Sequence, residues 1–100
     1  MIISETQLAR VLHYLGQFDD ADIEYERAIE NADNDGLAKV AADARFNQTL
    51  MLMEAVRLDE AANAAADALT RYCSHGDEAS IKDANLLLGE IRGRASENKA

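Results

Sequence analysis

The chain has 100 residues and a formal net charge of −9, enough length for one domain with a modest core, and an acidity that argues against nucleic acid and anionic membranes as partners. It has no proline, no tryptophan and only 5% aromatic residues, so its core must come from Ala, Leu, Ile, Val and Met, and it reads all-α. No apolar run approaches the roughly 20 residues of a membrane span, the first residues lack the pattern of a signal peptide, and the single cysteine, Cys73, suits a reducing cytoplasm.

The first helix is predicted from about Glu5 to Leu15. Ser4 is placed to cap it, with Gln7 at the capping-box position. Leu8, Val11, Leu12 and Leu15 fall on one face, and Gly16 supplies a left-handed stop. The second runs from about Asp20 to Ala32, with Asp19 as N-cap and Asp20 and Asp22 on the positive end of the dipole. Its inward stripe is Ala21, Tyr25, Ala28 and Ile29, and the "NADNDG" link ends it.

The third helix is long, about Leu37 to Ala55. Val40, Ala44, Met51 and Leu52 lie on or near one face, widened by Phe46 and Leu50. The fourth, about Asp59 to Tyr72, has a small face of Ala61, Ala65 and Ala68 that lets a neighbour come close. The fifth, about Glu78 to Arg94, turns Ile81, Ala84, Leu88 and Ile91 inward, and "SENKA" is expected to fray. Short connections predict antiparallel neighbours.

A shift of forty residues aligns the chain with itself without gaps. Ala21 falls on Ala61, Ala28 on Ala68, Ile29 on Leu69, and Asp19–Asp20 on Asp59–Glu60. Gly36 falls on Gly76 and Asp43–Ala44 on Asp83–Ala84, while Leu8, Gln48 and Leu88 form a third register. Such a period signals stacked helix pairs, each supplying the core that its neighbour lacks.

The pattern resembles the tetratricopeptide repeat, W-x2-L-G-x2-Y, then A-x3-F, then P. The first copy reads Glu5, Leu8, Ala9, Leu12, Ala21, Tyr25, Ala28 and Asp33. Ala21 and Ala28 match directly, and Gly16 and Phe18 fit the turn within the unit. The second copy reads Arg45 to Thr49, Leu52, Leu58, Ala61, Ala65, Ala68 and Leu69, and the third begins Asn85, Leu88 and Gly89. The Trp and Pro positions are unfilled. The period is about 40 rather than 34, which is similar to the longer-helix variants in bacterial signalling regulators and motor light chains.

The resemblance implies one domain over 1–100, with about two and a half repeats: repeat one over 2–35, repeat two over 36–75 and a C-terminal capping helix over 77–95. It implies five antiparallel helices and a protein–protein interaction module rather than an enzyme. A peptide or protein segment would lie in a concave groove lined by Gln7, Arg10, His13 and Tyr14, and by Asn47, Leu50, Met53 and Glu54. Leu50 and Met53 read equally well as core. A chaperone-tail clamp of the family is matched at Asn47 only, since Thr6, Arg10, Asp83 and Leu87 replace its other residues, so chaperone C-terminal tails are not expected ligands.

Cys73 and His75 supply at most two of the three or four ligands that zinc needs, so neither metal nor cofactor is expected. Cys73 with His13 would make a catalytic pair only if the fold joined them. The acids from Asp19 to Asp35, opposed locally by Arg27, read as a solvated, dipole-matched face, with docking of a basic partner as the alternative. Leu86 and Leu87 beside the inward stripe of the fifth helix leave apolar surface for a C-terminal continuation, a second copy or a partner, so the runner-up to groove binding is a homodimerisation or regulatory sensor module of a larger signalling protein. A small helical-bundle enzyme is the third reading.

Overall fold

A computed structural model describes residues 5–98. Among them are five helices and no strand: α1 (Glu5–Tyr14), α2 (Phe18–Asn34), α3 (Ala38–Glu54), α4 (Leu58–His75) and α5 (Glu78–Asn98). The expected cap Ser4 lies outside the described residues. The fifth helix, expected to end near Arg94, runs on through Asn98, and the last two residues of "SENKA" lie outside the described residues.

The turns repeat more strictly than the sequence does. A positive φ occurs at Gly16, Gly36, Val56 and Gly76, at +77°, +72°, +57° and +81°, one every twenty residues. After each of the first three, the next amide reaches back to the preceding helix. Gln17 donates to the Leu12 carbonyl at 2.9 Å, Leu37 to Ala32 at 2.8 Å and Arg57 to Leu52 at 2.9 Å. This is the Schellman closure, and it needs a left-handed residue. Three of the four positions have glycine; Val56 takes that conformation at a steric cost.

The closure also displaces the expected cap. The residue after the left-handed one becomes the N-cap, so Gln17, Leu37 and Arg57 occupy that place with no side-chain capping bond. Asp19 is therefore not a cap. It lies in the first turn of α2 with Asp20, where a carboxylate still meets the positive helix end, and it pairs with Arg57. Asp77 does cap α5, accepting from the Ser80 amide at 3.2 Å and from the Ser80 hydroxyl at 2.8 Å.

Packing follows chain order, each helix on the next, with α1 also touching α3. The molecule is a slab measuring 46 × 33 × 18 Å, about two helix diameters deep. Small residues make this possible. Ala21, Ala41 and Ala61 are fully buried in the first turns of α2, α3 and α4. Ala9, Tyr25, Met51, Leu52, Met53, Ala65, Leu87, Leu88 and Ile91 belong to the largest core cluster. Ala28, Ile29 and Ala32 of α2 meet Ala41 and Ala44 of α3 in a second. In a third, Ala42, Ala68, Tyr72 and Ala84 join α3, α4 and α5.

Two predicted stripes are corrected. On α1 the buried residue is Ala9, while Leu8, Val11 and Leu15 face outward and Leu12 is half-buried. On α3 Val40 is exposed, and the inward positions are Ala41, Ala44, Gln48, Met51 and Leu52. That helix has neighbours on several sides, so it buries more than one stripe and its amphipathic pattern is blurred.

Candidate protein-interaction face

Helical spacing sets the face of α1 and α3. Gln7, Arg10 and Tyr14 follow one another at three- and four-residue steps on α1, and Asn47, Leu50 and Glu54 do so on α3. Gln7, Arg10, Tyr14, Leu50 and Glu54 are exposed and Asn47 is half-exposed. His13 joins the two helices: its Nε2 meets a Glu54 carboxylate oxygen. Its ring stacks on Tyr14, with centroids 5.6 Å apart and planes at 12°, and lies 6.1 Å from Phe18. Tyr14 itself is 78% exposed, a large stacking surface held by its histidine neighbour.

One predicted residue leaves this face. Met53 is buried among Met51, Leu52 and Leu87 in the core cluster, so it supports the floor rather than lining it. Beneath lies Tyr25, fully buried. Burial pushes its hydroxyl pKa up; Arg10 opposes the shift, while Tyr14 and Glu54 add to it. Arg10, Tyr14 and Glu54 thus all lie within electrostatic reach of one buried phenol.

The second polar site lies between α2 and α4, across α3, and is absent from the expectations above. Gln48 is 2% exposed. Its amide donates to Asp22 and to Glu26, each at 2.8 Å, and its carbonyl accepts from Arg45 at 2.8 Å. Arg45 also donates to Glu26 at 2.7 Å and to Asp67 at 2.8 Å. Arg71 donates to the same Asp67 oxygen at 2.8 Å and to both oxygens of Asp33, at 2.7 and 3.2 Å. Bidentate pairing of this kind is the strong form of an ion pair. It holds Asp33 below the usual carboxylate range and raises the Arg71 pKa.

Two open clefts flank this network. One, of about 400 Å³, is lined by Asp22, Glu26, Glu60 and Asp67 around Arg45, with Gln48 and Leu52. The other, of about 320 Å³, lies between Glu30, Asp33 and Arg71. The acids of α2 are thus answered by Arg45, Arg57 and Arg71 from other helices, as well as by Arg27. Many of them are structural ties rather than a merely solvated face. The clue in the sequence was the Arg45–Gln48 pair, two polar residues three apart within the inward stripe of α3.

The remaining candidates separate. Leu86 is 65% exposed, whereas Leu87 is 8% exposed and belongs to the core, so the two do not form one sticky surface. Cys73 and His75 are both exposed. Among the described residues no group of three or more His, Cys, Asp or Glu side chains could hold a metal ion, and no helix is long and apolar enough to cross a membrane. The chain matches no protein-family model, no curated protein and no solved structure.

Proposed function

We propose that the chain is a tetratricopeptide-like interaction module of the cytoplasm that binds a peptide or protein segment along the α1–α3 face. One observation carries this reading. Arg10, Tyr14, Asn47, Leu50 and Glu54 sit on exposed faces of two helices clasped together by His13 and Glu54. Aromatic and arginine side chains presented on a rigid support are the usual anchors of a protein interface. The net charge of −9 favours a ligand with basic residues. The module itself performs no catalysis in this reading and needs no cofactor. Self-association through Leu86 and Leu87 loses support, because the burial of Leu87 leaves Leu86 alone.

The test is a capture from native lysate with wild type beside a Tyr14→Glu, Asn47→Ala variant of equal melting temperature. The proposal expects a protein retained by wild type and absent from the variant. Identical retention by both would refute it.

A further inference from the structure

The outer edge of α1 presents Leu8, Val11 and Leu15, at 40, 49 and 65% exposure. Their spacing of three and four makes one continuous stripe. The forty-residue register says what such a stripe is for. Its counterparts on α3 are Gln48, Met51 and Ala55. Gln48 is covered by Asp22 and Glu26 of α2, and Met51 shares a core cluster with Ala21 and Tyr25 of α2. The position on α1 that matches the α2-covered side of α3 is therefore a seat for a helix, and none of the described residues fills it.

The polar residues beside the seat specify the charge of its occupant. In the second unit, α2 lays Glu26 against Arg45 and Asp33 against Arg71. Forty residues earlier those arginines are Glu5 and Asn31, which bond to each other at 2.6 Å. An acidic helix like α2 would set its carboxylate against Glu5. A second copy offers poor candidates: α2 has seven acids to one arginine, α4 has three to one, and α5, with four acids to three bases, has no basic excess to set against Glu5. Like charges pressed together disfavour that pairing.

We propose that the Leu8–Val11–Leu15 edge of α1 docks an amphipathic helix from a basic partner, with a Lys or Arg of that helix reaching Glu5. This edge adjoins the α1–α3 face, since Val11 lies one turn from Gln7 and from Tyr14, but different variants test the two surfaces.

The probes are a helical leucine–lysine peptide of about 18 residues and its leucine–glutamate counterpart, titrated at about 0.15 M salt by fluorescence anisotropy. Wild type is expected to bind the lysine peptide and not the glutamate one. Val11→Asp with Leu15→Asp should weaken binding at least about tenfold, while Leu86→Asp, which adds charge on α5, leaves it unchanged. Glu5→Arg should turn the preference toward the glutamate peptide. Circular dichroism checks the fold, and Val11→Ser with Leu15→Ser replaces the aspartates if they unfold the chain. Equal binding by the edge variant would mean general attraction to an acidic surface and would overturn the proposal. So would no binding by wild type, or a wild-type dimer in sedimentation that the edge variant abolishes.

Discussion

The α1–α2 and α3–α4 hairpins share a backbone plan and differ in what fills it. Both turn through a left-handed residue closed by the same backward amide bond, at Gly16 and at Val56. Tyr25 is fully buried in the first, where the second has Ala65. Around the second, Arg45, Gln48, Asp67 and Arg71 build a polar network reaching to α2. At the matching places the first has Glu5, Leu8, Arg27 and Asn31. The turn bonds set the architecture, and the side chains between them decide which surfaces are closed and which remain available.

The largest effect should come from the apolar side of this contrast. Tyr25→Ala removes a fully buried ring and should cost about 3–5 kcal/mol in urea unfolding, whereas its forty-residue counterpart has only a methyl to lose. A cost under about 1 kcal/mol would mean that the first hairpin does not depend on the ring.

Next comes the network. Arg45→Ala strips Gln48 of its donor and leaves Glu26 and Asp67 facing one another without their shared cation. Exposed parts of the network are screened by solvent, so a loss of about 1–3 kcal/mol is expected. The matching change in the first hairpin, Glu5→Ala, should cost under about 1 kcal/mol. Equal costs would dissolve the distinction between the hairpins.

The two turns differ more subtly. Val56 is exposed and its φ is +57°, so Val56→Gly relieves a steric cost without removing packing. A gain of about 0.5–1 kcal/mol is expected, because part of the relief is offset by added freedom in the unfolded chain. The reverse change at the partner turn, Gly16→Val, should destabilise; thermal melts read both.

Acid provides the gentlest probe. Hydrogen bonds from Arg71 lower the pKa of Asp33, and those from Ser80 lower that of Asp77. The charged forms are the ones that folding favours. Their contribution is complete above the unfolded carboxylate value of about 4 and is lost as the pH falls through the lower folded values. Amide exchange in α4 and at the start of α5 should accelerate there before exchange around Tyr25. The reverse order would contradict the assignment of these ties.

Much of this fold is legible in the sequence, and the reasons are local. Gly16, Gly36 and Gly76 mark three of the four turns because a positive φ favours glycine. Valine disguises the fourth, although Gly16 falls on Val56 in the forty-residue register. The regular Leu8–Leu15 stripe pointed the wrong way because periodicity reports an apolar face and not whether a neighbour covers it. Alanine-rich packing hides the true contact at Ala9. The Arg45 network escaped for a related reason: its members lie on three helices, and only their assembly makes Gln48 a buried hub. The candidate face on α1 and α3 comes from the resemblance to the tetratricopeptide repeat and not from helical spacing, whereas the burial of Met53 and Leu87 needed the packed core.

The most direct test of the central proposal is a hydrogen-exchange footprint of the chain with the protein that it captures. The account predicts new protection concentrated in the second half of α1, from Arg10 to Tyr14, and in α3, from Asn47 to Glu54. Protection confined to the acidic clefts between α2 and α4, or to α5, would contradict it.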